Sequence, residues 1–509
     1  MKKTKSSLAL LLAALMLFSS CSNNTPSGDG KQQGSSDSEN KTSESESTEE
    51  SATEPEFDLD VPADLKYNGQ EFRFLTNPGE NETTKVQFIQ FEYDTDDGDV
   101  FNSAIFKRNS WVQDRLDVKF DVNTTGGLTD VTAFRKSVTA QANDFEIGIW
   151  IDRFALTLAQ EGLVIPLNDL SKMYVNLDEP WWLDDVNKDL TINHKLYFGA
   201  GAYDLSIYGN IQMLLFNKTM AGDLQLDNMY DMVRNGTWTM DQMYAYMEKA
   251  ADDTNGNGKM DGEDRWGSCY IGNFYDFSST AGNDAFFVMK DENDLPYFSA
   301  PGNERLMSIC DKLAKKLKDK NVAIPVDRID AKYKTGHVYE NVVTMFADGN
   351  TLFAGSGAFY LNNLRNMSDE FGILPFPKYE EVAPGTPYKS WLFGVLGYVV
   401  PITVSSPEMV SAVLETIAYA SYEYVVPPYL ETVLAHKQVR DPDSAEMLDM
   451  LSKNFCIDLA HTYFLESVSS VFSDAFVNGQ DNFASTIKKS QKIIDRQLKK
   501  IDEAFQKLN

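Results

Sequence analysis

Between residues 71 and 150 the spacing of apolar residues alternates between two periods, and that rhythm confines the chain to few architectures. Glu71-Phe72-Arg73-Phe74-Leu75 reads as a strand, led in by Tyr67-Asn68-Gly69-Gln70. Asn102 to Leu116 places Ala104, Ile105, Val112 and Leu116 on one face of a helix. Val118-Lys119-Phe120-Asp121-Val122 alternates like a strand, and Asp130 to Ala142 is helical again, with Asp130 as its N-cap. Phe145 to Trp150 reads as a strand ending in a polar turn at Asp152-Arg153. Strands alternating with helices indicate α/β layers. In such sheets a ligand sits beyond the carboxyl ends of the strands, where Trp150, Asp152 and Arg153 are expected.

The N-terminus carries a different signal. Lys2, Lys3 and Lys5 precede an unbroken apolar run from Leu8 to Phe18, followed by Ser19-Ser20-Cys21. A basic start, a short apolar core and small residues at the cut describe a secretory signal, too short to span a bilayer. Cysteine directly after two small residues resembles the lipobox of bacterial lipoproteins, with Phe18 where leucine is usual. That resemblance implies loss of residues 1–20 and a diacylated Cys21 holding the chain at the outer face of the cell membrane. Two acyl chains suffice for stable anchoring. A plain secretory signal with a chance cysteine is the alternative. Residues 21–64 are rich in Ser, Thr and Glu and nearly devoid of apolar groups, so they read as a disordered acidic linker. The folded part is expected to begin at Leu65.

That folded part is longer than one hydrophobic core normally holds, which calls for at least two lobes. The formal charge of −30 argues against nucleic acid, whose affinity rests on Lys and Arg. Cys269, Cys310 and Cys456 form no metal-ligand spacing, and the four histidines show no HExxH pattern. No GxSxG or phosphate-cradling loop is present. A glycosidase needs only two carboxylates, which 76 acidic residues cannot exclude. A secreted glycan-active enzyme and a surface glycan-binding adhesin therefore stay open as alternatives.

The most specific local motif runs from Asp253 to Asp264. Oxygen side chains fall at Asp253, Asn255, Asn257, Asp261 and Asp264, with Gly258 at the sharp turn and Lys259 offering its carbonyl. This is the twelve-residue calcium loop of EF-hands, except that Asp264 replaces the usual glutamate. A strand-like Arg265 to Tyr270 follows it instead of a second helix, so calcium is expected to brace the fold, not to switch it.

Several segments together resemble bacterial extracellular solute-binding proteins of family 1, the sugar-binding, maltose-binding-protein-like type. They include Gly98-Asp99-Val100-Phe101-Asn102, Gly162 to Leu170 with Pro180-Trp181-Trp182, Leu215-Phe216-Asn217-Lys218 and Gly236 to Asp241. Phe346 to Asn350, Phe371 to Lys378 and Val399 to Thr403 continue the series. The resemblance implies an α/β two-lobe periplasmic-binding-protein-like fold with a ligand cleft between lobes. It implies a monomer that captures solute for the transmembrane permease subunits of an ABC importer. By analogy, residues 65–208 and 353–400 would form lobe 1, and residues 209–352 and 401–509 lobe 2, with a final helix presenting Phe483, Ile487, Ile494, Leu498, Ile501 and Phe505.

An oligosaccharide needs aromatic faces for its rings and polar groups for its hydroxyls. The candidates at strand ends and crossings are Trp150, Asp152, Tyr203, Asp204, Asn273, Tyr275, Phe359, Tyr360 and Trp391. Trp181, Trp182 and Trp238 are weaker candidates, Trp238 because it precedes a helix starting at Thr239 and would staple it.

Overall fold

The computed structural model describes residues 59–78, 90–127, 129–317, 319–334, 336–430, 441–463, 468 and 483–508. The signal segment, Cys21 and the linker as far as residue 58 lie outside them. Val61 is already buried, and Arg115 donates to its carbonyl at 2.6 Å, so the folded body begins before Leu65.

Asn68 (φ 54°) and Gly69 (φ 73°) turn the chain into β1 (Gln70–Thr76), whose buried Phe72 and Phe74 face a core. Helix α1 (Val100–Leu116) starts where Asp99 accepts the Phe101 and Asn102 N–H groups, and it stops at left-handed Asp117. Strand β2 (Val118–Thr124) then pairs parallel with β1, Gln70 opposite Val118. Helix α2 (Thr132–Thr139) is shorter than its pattern suggested, and its N-cap is Val131, not Asp130, which stands one residue further out and accepts the Thr132 N–H at 3.0 Å. Strand β3 (Ile147–Ile151), helix α3 (Asp152–Gln160), the short β4 (Val164–Ile165) and α4 (Asp184–Leu190) follow.

A second series runs through β5 (Gln212–Asn217), α5 (Met240–Ala250), β6 (Trp266–Tyr270), α6 (Gly272–Ala281) and the hairpin β7 (Val288–Lys290) to β8 (Pro296–Phe298). It continues with α7 (Glu304–Leu317), β9 (Ala323–Pro325), α8 (Val338–Ala347), β10 (Thr351–Gly357) and β11 (Phe371–Leu374). The remaining elements are β12 (Ser390–Trp391), β13 (Leu396–Pro401), α9 (Pro407–Tyr424), α10 (Pro442–Ser452), β14 (Phe455–Cys456), α11 (Leu459–Thr462) and α12 (Phe483–Gln506).

Two five-stranded sheets result, ordered β2-β1-β3-β13-β4 and β11-β5-β10-β6-β9. Each is mixed, with two parallel and two antiparallel pairings, and their inner strands are apolar on both faces because helices cover them. At Gly267 a Cβ would stand 2.5 Å from the Met247 carbonyl, so α5 lies directly on β6.

The expected lobe boundaries need correction. Strand β10 does not return to the first lobe at residue 353: it lies inside the second sheet, Ala354 opposite Leu215 and Phe353 opposite Ser268. The return comes at β13, which pairs with β3 and β4. Nor does the chain leave the first lobe at residue 401. Helix α9 packs on α1, and its buried Glu415 accepts both indole N–H groups of Trp181 and Trp182, at 2.8 and 3.0 Å. Among the described elements after β13, α10 packs on the second sheet, against β11.

Three crossing segments lie side by side. Ile211 bridges Leu392, β12 runs parallel to β14, and the Leu392 N–H donates to Cys456 at 2.9 Å. Helix α12 buries the six expected apolar residues, packs on α7 and β8, and sets the Phe505 ring 5.0 Å from that of Tyr197, tilted by 42°.

Candidate ligand groove at the crossing segments

Strand β6 leads straight into α6, so the first turn of that helix stands at the strand's carboxyl end. Phe274 and Phe277 are one turn apart and share a face. Phe274 lies 4.5 Å from Tyr339 of α8 and 4.6 Å from Phe393, between ring centroids. Tyr339 lies 5.6 Å from Tyr360, and Phe393 lies 4.6 Å from His461 of α11. Trp391 stacks on Phe277 at 5.0 Å and meets His461 edge-on at 5.4 Å. Phe274, Tyr339, Tyr360, Phe393 and His461 are each half-buried, a condition that suits rings able to receive a ligand face.

On the other side, β3 leads into α3 in the same way. The Asp152 N–H donates to the Val395 carbonyl at 2.9 Å, which sets the start of α3 against the returning crossing segment. The Asp152 carboxyl accepts the Arg153 N–H at 2.8 Å and the Thr462 hydroxyl at 3.2 Å, and burial pushes its pKa up to about 6. Asp204 accepts the Ser206 N–H and hydroxyl and the Leu396 N–H; burial pushes it up to about 7. Burial, and after it the Arg153 charge, pushes His461 down to about 4, so this imidazole is neutral at physiological pH.

The nine residues singled out from sequence divide sharply. Tyr360 and Trp391 belong to the aromatic set. Phe359 is half-buried beside them, its ring over Gly209, where a Cβ would stand 2.1 Å away. Asp152 and Asp204 lie beneath the crossing segments, fully buried and bonded to protein groups. Asn273 is in the first turn of α6, with its side chain outside the described part.

Three are core residues instead. Trp150 is 0 % exposed on the α2 side of its sheet, edge-on to Phe134, because β3 is an inner strand with both faces covered. Tyr203 packs on Trp182 and Tyr398 and donates to the Gly199 carbonyl at 2.7 Å. Tyr275 points away from the groove and donates to the Met243 sulfur at 3.3 Å. Trp238 is likewise buried, donating to the Pro375 carbonyl at 3.0 Å, with Thr239 capping α5. Phe274, Tyr339, Phe393 and His461 went unrecognised. The helical period after a strand end was available to find Phe274 and Phe277; no local pattern marks the others.

The Asp253–Asp264 loop is closed at its neck by paired backbone bonds between Asp252 and Arg265. Asp253 accepts the Asn257 and Gly258 N–H groups, Asn257 accepts that of Lys259, and buried Asp264 accepts that of Asp261 at 2.7 Å. Gly256 and Gly258 take left-handed conformations that suit glycine. Among the described residues no three His, Cys, Asp or Glu side chains suffice to hold an ion by themselves. The carboxylates of this loop would need Asn255, Asn257 and the Lys259 carbonyl as further ligands, and all of these donors are the hard oxygens that calcium takes.

No protein-family model and no curated protein matches the sequence. The backbone does match solved structures, and they define its class: an α/β, two-lobe periplasmic-binding-protein-like fold. A cyclo/maltodextrin-binding protein complexed with maltotetraose is 12% identical, with 87% of this chain and 98% of that one covered and a TM-score of 0.53. An ABC substrate-binding protein of Listeria monocytogenes in complex with cycloalternan is also 12% identical, covering 85% and 99%, with a TM-score of 0.53. UspC of Mycobacterium tuberculosis is 14% identical, covering 84% and 100%, with a TM-score of 0.55.

Proposed function

We propose that this chain is the substrate-capturing solute-binding protein of an ABC importer, that its ligand is an oligosaccharide, and that Cys21 carries the lipid that tethers it. The half-buried rings of Phe274, Tyr339, Tyr360 and Phe393, gathered where the crossing segments meet, carry this reading. Sugar rings bury an apolar face against such side chains, and their hydroxyls need a few placed polar groups. Two similar structures hold maltotetraose and cycloalternan, which favours a saccharide here. Closure of one lobe on the other about the three crossing segments would enclose the ligand. Calcium in the Asp253–Asp264 loop would brace the second lobe without entering the ligand chemistry.

Calorimetry of the mature protein against an oligosaccharide panel tests the capture role: saturable binding to at least one member is expected, and release of a cleaved product would overturn it in favour of a glycosidase. Deleting the gene should abolish uptake of the bound sugar, whereas an adhesin would leave uptake intact. Replacing Cys21 with serine should move the protein from the membrane to the medium.

A further inference from the structure

Two polar atoms inside the aromatic set are left without partners. The Nε2 of His461 and the indole N–H of Trp391 are screened from solvent and find no hydrogen-bond partner among the described residues. Buried polar atoms are normally paired, so each of these calls for a reason. Both side chains are firmly held. Trp391 is 1 % exposed, stacked on Phe277 and fixed by the pairing of β12 with β14. The short helix that carries His461 is anchored at both ends. Buried Asp458 accepts the Ala460 and Phe287 N–H groups, at 2.9 and 2.7 Å, and Thr462 donates to Asp152 at 3.2 Å. The His461 ring lies 4.6 Å from that of Phe393 and edge-on to Trp391 at 5.4 Å, between centroids.

The two atoms differ in kind. The imidazole donates to the Phe393 carbonyl. With Nε2 unpartnered, that donor is Nδ1, and in the neutral ring Nε2 then carries the lone pair and can only accept. The Trp391 indole can only donate. A carboxylate offers acceptors alone and an ammonium donors alone, whereas a hydroxyl offers both. An enclosed water is a poor occupant. It makes about three hydrogen bonds when buried, and the hydrocarbon rings of Phe274, Phe277 and Phe393 around Trp391 supply none.

Resting on the capture role argued above, we propose that His461 and Trp391 are the residues that read ligand hydroxyls: as the lobes turn about the crossing segments, where both side chains sit, a sugar hydroxyl donates to His461 Nε2 and a sugar oxygen accepts from the Trp391 N–H, while the ring faces lie on Phe274 and Phe393. Hinge segments absorb the backbone rotation of closure, which re-aims the side chains they carry. A saccharide without the hydroxyl that His461 reads leaves a buried lone pair unpaired. Such a site rejects the deficient analogue more strongly than an apolar pocket rejects a missing methylene.

The test uses the mature protein and oligosaccharides of α-linked and β-linked glucose, xylose, mannose and galactose, followed by each monodeoxy derivative of the tightest binder. One deoxy derivative should bind roughly tenfold or more weakly than its parent. His461→Phe keeps a ring against Phe393 and removes the acceptor; it should weaken the parent by a similar factor and bind parent and that derivative alike. His461→Gln, whose amide reaches about as far as Nε2, should restore part of the difference. In the proton–nitrogen correlation spectrum of the wild-type protein, the indole resonance that is missing from Trp391→Phe should shift on saturation with sugar. Equal losses for every deoxy derivative in wild-type and His461→Phe proteins, or an indole resonance unmoved at saturation, overturn the hydroxyl-reading pair and leave sugar capture standing. A folded protein that binds none of the oligosaccharides overturns both.

Discussion

Asp204 accepts the backbone N–H of Leu396 at 2.7 Å, which ties the segment leaving the first sheet to the strand returning to it. The same oxygen pair takes the Ser206 N–H and hydroxyl, so a single buried carboxyl fixes two of the three crossing segments. Its raised pKa, about 7 against about 3.9 in an unfolded chain, means the folded state holds a proton that the unfolded state has released. The stability contributed by that proton is full below pH 4 and is lost as pH rises through 7. Asp204→Asn should therefore flatten the fall in unfolding free energy between pH 5 and pH 8 by an amount on the order of a few kcal/mol. Urea titrations of both proteins at the two pH values check this; parallel pH profiles would remove Asp204 as the cause.

Trp150 and Tyr360 looked alike as stacking candidates, and the fold separates them. Trp150→Ala removes a ring packed on Phe134 inside a covered sheet and should cost about 3–5 kcal/mol of stability. Tyr360→Ala removes a half-buried ring from the groove, so melting should barely change while oligosaccharide affinity drops by roughly tenfold, about 1.4 kcal/mol. Thermal melts and calorimetry on both variants decide it; the reverse pattern would exchange their roles.

Much of the fold was legible because it rests on local regularities. The β1-α1-β2 series, the helix start at Thr239 and the six-residue stripe of α12 all follow from period and capping chemistry. Lobe membership was not legible, because β10 carries the same apolar run whichever sheet accepts it, and only pairing with β5 and β6 settles the matter. The groove was half legible. Strand ends were located correctly, but one residue's rotation about α6 exchanges Phe274 for Tyr275. Phe393 and His461 meet only because β12 and β14 pair across many intervening residues.

Glu415 shows what misplacing α9 would have hidden. Both its oxygens accept indole N–H groups, from Trp181 and Trp182, and one also accepts the Asn176 N–H at 3.1 Å. Glu415→Ala orphans several buried donors at once, which should cost on the order of 3–5 kcal/mol. Glu415→Gln keeps acceptor capacity on one oxygen only and should fall between. Urea unfolding followed by circular dichroism measures the loss in each variant. A loss below ~1 kcal/mol for the alanine variant would mean that water replaces the carboxylate there.

Calcium is the last expectation with a sharp thermodynamic signature. The loop's neck is closed by paired backbone bonds, two glycines take left-handed conformations and buried Asp264 accepts the Asp261 N–H, so the loop's oxygen donors sit on a fixed frame. An ion that binds only the folded state stabilises it by RT ln(1 + [L]/Kd), about 2.7 kcal/mol at a hundredfold excess over Kd. Chelation with EDTA should lower the melting temperature, and excess calcium should restore it where equal magnesium does not, since magnesium tolerates this larger oxygen cage poorly. Asp253→Ala should abolish the calcium increment while leaving oligosaccharide affinity in place, because the loop lies apart from the aromatic groove. Equal melting with chelator and with calcium would leave the loop as a turn held by its own hydrogen bonds.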